Sequence, residues 1–315
     1  MRAAVVDGYG APEVVRVAEV PRPVPRADEV LVRVRAVAVT SADARIRAAR
    51  FPAGFGVFGR LAFGVLRPRK PVLGGSFSGV VEAVGARVSG FAPGDDVCGM
   101  TGVRLGAHAE YVAVAGAKVV RKPPGVSHED AAGLLFGGST SLHFLRDKGK
   151  VRAGRTVLVI GASGALGTNA VQLAKHFGAV VTGVTSAANA QLVHDLGADR
   201  VLDYTTGALD RTRERFDVVM DTVGTLSIKS GRRLLADGGT LLLPVAGLGD
   251  TIRARGDVAA GMAPERPEDF EFLLDLAARS ALTVVLDRVH DLADITAAHR
   301  RVDSGRKVGN VVVRP

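Results

Sequence analysis

Cysteine is almost missing from this chain. Cys98 stands alone, which excludes an intramolecular disulfide and any thiolate metal cluster. Tryptophan is absent and aromatic residues make up 5% of the sequence, so the stacking platforms of a single-strand nucleic-acid binder are scarce. No apolar run reaches the ~20 residues a membrane-spanning helix needs. The most apolar irregular stretch, residues 51–66, is broken by glycines, Pro52 and Arg60. The N-terminal residues, Met1-Arg2-Ala3-Ala4-Val5-Val6-Asp7, lack the apolar core of a signal peptide, so a cytoplasmic protein is expected. Low-complexity tracts and repeats at solenoid spacing are also missing.

What is present describes an ordinary globular chain. Its 315 residues are 47% hydrophobic and 23% charged, enough for two lobes of moderate size. The net charge of +9 is carried by arginines scattered along the length, many in mixed-sign stretches such as residues 210–217. Such stretches read as solvated helix faces rather than one basic footprint. Nucleic acid is therefore not expected as the principal partner, and an anionic small molecule such as a dinucleotide suits the charge better.

The pattern divides the chain into three parts. Residues 1–122 read as short strands and turns, with apolar residues alternating around Arg33 and Arg35 between Glu29 and Val39. Near Lys122-Pro123-Pro124-Gly125 the texture changes, and Ser127 with Asp130 caps an apolar helix. From there to residue 264 strands and helices alternate: strands at 156–160, 180–184, 201–204, 216–221 and 240–243, with helices at 164–177 and 189–196. Unbroken apolar strands separated by helices predict a parallel sheet covered on both faces. Residues 265–315 hold a helix at 267–279, then strand, helix and strand, and are expected to return to the first lobe.

Val157-Leu158-Val159-Ile160-Gly161-Ala162-Ser163-Gly164-Ala165-Leu166-Gly167 carries the strongest chemical signal. A buried strand runs into a tight glycine turn and then a helix, with small residues that let backbone amides approach a pyrophosphate. A glycine string alone also makes ordinary turns; its setting among alternating elements is what favours a nucleotide. An NAD site usually ends its second strand in Asp or Glu, whereas Thr185-Ser186 stands here with no acid before Asp195. NADPH is favoured, with NADH left open, because no Arg or Lys stands at that spot.

The chain resembles, from end to end, the zinc-independent, quinone-oxidoreductase-like branch of the medium-chain dehydrogenase/reductase superfamily. The segments that carry the likeness are residues 71–85 (PVLGGSFSGVVEAVG), 91–97 (FAPGDDV), 109–112 (AEYV), 161–167, 171–175 (VQLAK), 196–199 (LGAD) and 221–224 (DTVG), in family order. The resemblance implies an α/β fold: a GroES-like β-rich catalytic lobe, a Rossmann doubly wound lobe, and NADPH in the cleft between them. It places Thr140 beside the nicotinamide and Ser163, Gly164, Ala165, Leu166 and Gly167 at the pyrophosphate. Tyr204 falls near the 2′-phosphate, to which the Ser186 hydroxyl, standing where an acid is missing, can donate, and Val223 and Ala246 border the nicotinamide. Asn310 stands where the family often has lysine. A homodimer is compatible with it, although residues 247–262, which help form the dimer in relatives, look short.

The departures also matter. Zinc-dependent relatives carry Cys near position 40 and a His-Glu pair near 75 and 76; this chain has Val39-Thr40-Ser41 and Gly75-Ser76, and no ligand set for a tetrahedral zinc follows. Quinone reductases usually have asparagine where Thr40 stands, ahead of an acid matching Asp43. Without a metal, hydride passes most readily to a conjugated acceptor, so a small apolar quinone or enone is the expected substrate. Thr40 is the candidate hydrogen-bond donor and Asp43 its organiser, with an Asp43–Arg47 ion pair expected at helical spacing. His108 is the candidate proton donor if it faces the cleft, and a packing histidine otherwise. His143 shares a helix face with Thr140 and reads as packing. Phe51, Phe55, Phe58 and Phe63 read as a wall over the substrate, a satellite hydrophobic cluster, or a peripheral membrane contact. Two rivals remain: a zinc-free alcohol or carbonyl dehydrogenase, and a nucleotide-binding protein without turnover that associates with RNA or membrane.

Overall fold

A computed structural model describes residues 1–315. In chain order its first part holds β1 (Arg2–Val6), β2 (Val15–Glu19), β3 (Glu29–Val39), α1 (Ser41–Ala48), α2 (Gly56–Phe63), β4 (Ser76–Val84), β5 (Asp96–Met100), β6 (Tyr111–Ala115) and β7 (Val119–Arg121). Then come α3 (His128–Leu142), β8 (Thr156–Ile160), α4 (Ala165–His176), β9 (Val180–Thr185), α5 (Ala190–Asp195), β10 (Arg200–Asp203), α6 (Ala208–Arg211), β11 (Phe216–Asp221), α7 (Ile228–Arg232), β12 (Leu235–Leu243), α8 (Leu248–Arg253) and β13 (Val258–Ala260). The last part is α9 (Pro267–Ala278), β14 (Leu286–Asp291), α10 (Ile295–Asp303) and β15 (Asn310–Arg314).

The strands form two main sheets. One is seven-stranded, in the order β14-β15-β3-β4-β5-β7 with β6 pairing β3, so the last two strands close onto the N-terminal ones. In β3, Val30, Val32 and Val34 are buried while Arg33 and Arg35 face out, the alternation of a sheet with one wet face. The other sheet is six-stranded and all parallel, in the order β10-β9-β8-β11-β12-β13. Its central strands are apolar without interruption because helices cover both faces, and Val157, Leu158 and Val159 have no exposure at all. Order reverses between β8 and β11, and a crevice opens at such a reversal beyond the carboxyl ends of the strands.

Helix α3 joins the two parts. Ser127 accepts a hydrogen bond from the Asp130 amide and satisfies one orphan donor at the start of this helix. One side packs on β3, β4 and β15, the other on α4 and α9. Burying Leu134, Leu135 and Leu142 contributes about 1.5–3 kcal/mol each. Contact with α4 is close because Gly137 has no side chain: a Cβ there would stand 2.4 Å from the Ala165 carbonyl oxygen. After Leu142 the helix widens into a π-helical turn at His143–Lys148, where His143 bonds Asp147 at 3.0 Å.

Three segments depart from the pattern of the sequence. Residues 51–66 contain α2, although their glycines read as breakers. Gly59 is a contact point, where a Cβ would meet the Phe51 ring at 2.5 Å, and Phe51 stacks on Phe63 at 6.0 Å. Residues 247–262 form α8 and the edge strand β13, too short to leave a periodic signal. The strand expected soon after the helix at 267–279 begins only at Leu286, after a lead-in whose Val285 carbonyl receives the Asn310 amide.

Candidate active site

The fingerprint turn closes the end of β8. Gly161 adopts φ +77°, a left-handed conformation that glycine permits, and Val223 overlies it so closely that a Cβ would lie 2.3 Å from the Val223 Cγ2. Gly167 packs against the turn, with a Cβ position 2.0 Å from the Gly161 carbonyl. Gly164 differs. Its backbone is extended (φ −82°, ψ 176°), and the nearest atom to a Cβ there is the Gly161 oxygen at 3.4 Å. That side of the turn faces open space, in front of a helix start with no side-chain cap.

The amides of Leu166 and Gly167 find no acceptor in the protein, the Ala165 amide is turned toward the Gly309 carbonyl across the Gly164–Gly309 bridge, and Thr168 closes the first helical bond to Gly164. Unpaired amides at the positive end of a helix make an anion site, and a dinucleotide pyrophosphate fits these donors. Ser163 holds the turn sideways: its Oγ accepts from Thr185 at 2.8 Å and from Asn189 Nδ2 at 3.2 Å. Ser141 Oγ donates to the Leu166 carbonyl at 2.8 Å, so α3 braces the same turn. Thr140 lies one residue away, half-exposed, with its own hydroxyl bonded to the Phe136 carbonyl at 2.8 Å.

The other strand ends complete the wall. Ser186 follows β9, is partly exposed and makes no side-chain bond in the protein. Tyr204 follows β10 with 59% of its surface exposed. Asp203, the carboxylate between them, is turned onto the Thr205 amide and hydroxyl, both at 2.8 Å, and these bonds hold its pKa below the usual carboxylate range. After β11, fully buried Asp221 accepts from the amides of Val223, Gly224 and Leu226, which fixes Val223 over the turn. Ala246 lines a cavity of ≈ 390 Å³ with Gly224, Val245 and Ala53, the last from the segment before α2.

The catalytic lobe meets this wall where β3 and β15 run side by side. The Gly309 amide donates to the Ser163 carbonyl at 2.8 Å, a direct tie across the lobes. Asn310 follows, its Nδ2 bonded to the Val285 carbonyl at 3.2 Å. Because Val39 pairs Val311 in antiparallel register, Thr40 stands across from Asn310 on the same rim. Thr40 caps α1 in a reciprocal box: its hydroxyl donates to Asp43 Oδ2 at 2.6 Å, and Oδ2 also accepts from the Thr40 amide at 2.8 Å. Asp43 Oδ1 accepts from the Gly74 amide at 3.0 Å.

Residues 26–124 match the family model described as an alcohol dehydrogenase GroES-like domain, and residues 196–313 the one described as a zinc-binding dehydrogenase. A quinone oxidoreductase of Pseudomonas aeruginosa is 30% identical over 331 residues, covering 98% of this chain and 97% of that protein. The NADPH-dependent alkenal/one oxidoreductase of Arabidopsis thaliana chloroplasts is 31% identical over 283 residues, 84% of this chain and 69% of that protein. The solved quinone oxidoreductase of Coxiella burnetii has a TM-score of 0.90 at 26% identity, covering 100% of this chain and 99% of the other.

The chain belongs to the quinone-oxidoreductase family of medium-chain dehydrogenases/reductases. As a member it is a nicotinamide-dependent oxidoreductase, with the GroES-like and Rossmann-like parts that the two sheets form. One family model has zinc in its description, yet this chain brings no three His, Cys, Asp or Glu side chains together in an arrangement that could hold a metal. No helix is long and apolar enough to cross a membrane.

Several expectations for this family site need correction. His108 does not face the cleft: it is 1% exposed, bonds the Ala38 carbonyl through Nε2 at 3.1 Å and packs edge-on against His299 at 5.8 Å. A proton held there has no path to a substrate. Arg47 does not pair with Asp43, whose oxygens are already bonded, but with Asp303 of α10 at 2.5 Å. The Thr40 hydroxyl proton is committed to Asp43, so Thr40 reaches a substrate oxygen only by releasing that bond. Cys98 is buried and desolvation pushes its thiol up to about 12, as suits packing rather than chemistry.

One residue that sequence reasoning missed is Lys307. Its Nζ donates to the Gly309 carbonyl at 2.6 Å, on the strand lead-in tied to Ser163. Although part of the residue is exposed, desolvation of the amino group pushes it down to about 8. Asn310 drew attention as the place of a family lysine; the lysine three residues earlier gave no spacing signal, because only the bend before β15 brings it to the rim.

Proposed function

We propose that the protein uses NADPH to reduce small apolar quinones or α,β-unsaturated carbonyls without a metal. The observation that carries this reading is the pair of unpaired amides at Leu166 and Gly167 at the start of α4, beside a rim that offers hydroxyl and amide groups but no metal ligands. Bound there, the reduced nicotinamide supplies hydride to an electrophilic carbon. The protein's part is to hold, orient and exclude water.

In this reading Gly164, Ala165, Leu166 and Gly167 hold the pyrophosphate, with Ser163 fixing the turn. Thr140, Val223 and Ala246 shape the nicotinamide end. Ser186 and the exposed Tyr204 receive the 2′-phosphate, while the Asp203 carboxylate stays on Thr205 instead of reaching a ribose hydroxyl. Thr40, organised by Asp43, hydrogen-bonds the acceptor oxygen as negative charge grows on it; Asn310 lies opposite on the rim. Conjugated acceptors spread that charge, so neutral donors suffice where an isolated carbonyl needs a stronger electrophile. The NADPH-dependent alkenal/one relative supports both the cofactor and the enone class.

The occupied Thr40 hydroxyl favours a second reading, a nucleotide-binding protein without turnover. Mixing purified, chelator-dialysed protein with NADPH and a naphthoquinone or an enone separates the two. Loss of reduced-nicotinamide absorbance supports the reductase. Tight NADPH binding with no turnover across a broad acceptor panel supports the rival.

A further inference from the structure

Helix α2 is apolar on both its faces. Inward, Phe51 lies against Gly59 and stacks on Phe63. Outward, Val57, Phe58 and Leu61 are 70%, 59% and 55% exposed, and Val65 and Leu66 just beyond are 52% and 89% exposed. Positions 57, 58 and 61 follow helical spacing and share one face of α2, and Val65 and Leu66 extend the exposed apolar surface in the turn after Gly64. Nothing in the protein covers it.

Cations surround the stripe. Arg60, Arg67, Arg69 and Lys70 are all exposed. No Asp or Glu occurs between Asp43 and Glu82, and among the cations ion pairing passes from Arg50 directly to Arg87, leaving these four without a carboxylate. Arg60 instead donates to the Val65 carbonyl at 2.9 Å and lies over the Tyr9 ring, which holds it at the edge of the stripe. Docking surfaces for proteins mix charge signs at their rims and favour aromatic anchors over bare aliphatic rows. Apolar side chains flanked along their own segment by cations alone match a surface that is oily below and anionic above.

We propose that α2 and the Val65–Lys70 turn dock this enzyme reversibly on an anionic lipid bilayer. Phe58, Leu61 and Leu66 enter the boundary between headgroups and acyl chains, and the four cations meet lipid phosphates. The stripe is short, so binding is weak, salt-sensitive and dependent on anionic lipid. The docking surface adjoins the crevice, because Ala53 lines its cavity and accepts a hydrogen bond from the Leu248 amide at 2.7 Å. Drawing a lipophilic acceptor from the bilayer rests on the reductase reading; the docking itself does not.

The chain has no tryptophan, so Phe58→Trp installs a single fluorescent reporter. With vesicles of phosphatidylcholine containing phosphatidylglycerol, the reporter should shift to the blue and wild-type protein should co-sediment at low salt. Pure phosphatidylcholine vesicles should produce neither effect. Leu61→Ser with Leu66→Ser, and separately Arg67→Gln with Arg69→Gln and Lys70→Gln, should each lower partitioning about tenfold or more. NADPH binding and turnover of a soluble naphthoquinone should be unchanged in both variants, which separates a failure of docking from a failure of the reductase reading. Absence of co-sedimentation with the anionic vesicles at low salt overturns the proposal. So does a solution dimer that Leu61→Asp dissociates, since the stripe would then belong to a second copy.

Discussion

Gly164 and Gly167 lie three residues apart in one turn, yet a methyl group has opposite consequences at the two. At Gly164 the backbone is extended and the added Cβ meets only the Gly161 oxygen, at 3.4 Å, an ordinary contact distance. Gly164→Ala should therefore leave stability within about 0.5 kcal/mol of wild type, since the weaker N-cap is offset by a less flexible unfolded chain. The same methyl occupies the open space in front of the helix start and should hold a pyrophosphate away from the Leu166 and Gly167 amides. Losing even part of that set corresponds to at least about 1.4 kcal/mol, a tenfold rise in the NADPH Kd. At Gly167 a Cβ would lie 2.0 Å from the Gly161 oxygen and 2.7 Å from the Ala162 Cα. Gly167→Ala should destabilise by about 1–3 kcal/mol, from overpacking against backbone that cannot move aside. Thermal unfolding and calorimetric titration with NADPH measure both effects on both variants. Unchanged NADPH affinity in a well-folded Gly164→Ala protein would refute the placement of the pyrophosphate on this turn.

Other sites give independent checks. Tyr204→Ala should weaken NADPH by about tenfold while leaving NADH nearly unaffected, if its exposed ring packs near the 2′-phosphate; equal losses for both nucleotides would remove it from that place. Lys307 is charged below about pH 8 and neutral above, and phosphate favours the charged form. NADPH affinity should thus be full below that pH and fall above it, and Lys307→Met should flatten the profile; a wild-type Kd constant from pH 7 to pH 9, a window of about two pH units around it, contradicts this. Thr40→Val should lower kcat about tenfold or more with little change in cofactor Kd, and cost about 1 kcal/mol through the lost cap. Burial holds His299 well below its usual 6.5, with His108 and Arg47 adding to the effect. The unfolded chain therefore binds the proton first, so stability is full above about pH 6.5 and falls below it, and His299→Phe should reduce that acid sensitivity in urea melts.

The sequence made the Rossmann-like part legible because its signals are local. Unbroken strands such as Val157–Ile160, a glycine turn and Gly178 closing the next helix need no tertiary information. The GroES-like part was readable mainly by resemblance, since its short strands pair across long separations, as Val39 does with Val311. α2 escaped notice because Gly59 means close packing on Phe51, a relation no window of sequence contains. The site divides in the same way. Its phosphate amides follow from the motif, whereas the fate of His108 depended on which side of β3 the chain returned along. Register alone sets Thr40 opposite Asn310, and the Asp43 box that occupies Thr40 is a three-residue pattern also found in plain helix caps. Lys307 depended on a bend that propensity does not encode.

In the proposed reaction hydride moves from NADPH to a conjugated acceptor with no metal involved. Stopped-flow oxidation of NADPH by a naphthoquinone, run on chelator-dialysed protein alongside elemental analysis of the same sample, tests this most directly. The prediction is sustained turnover with zinc far below one atom per chain. Stoichiometric zinc whose removal abolishes turnover, or no oxidation despite bound NADPH, would contradict it.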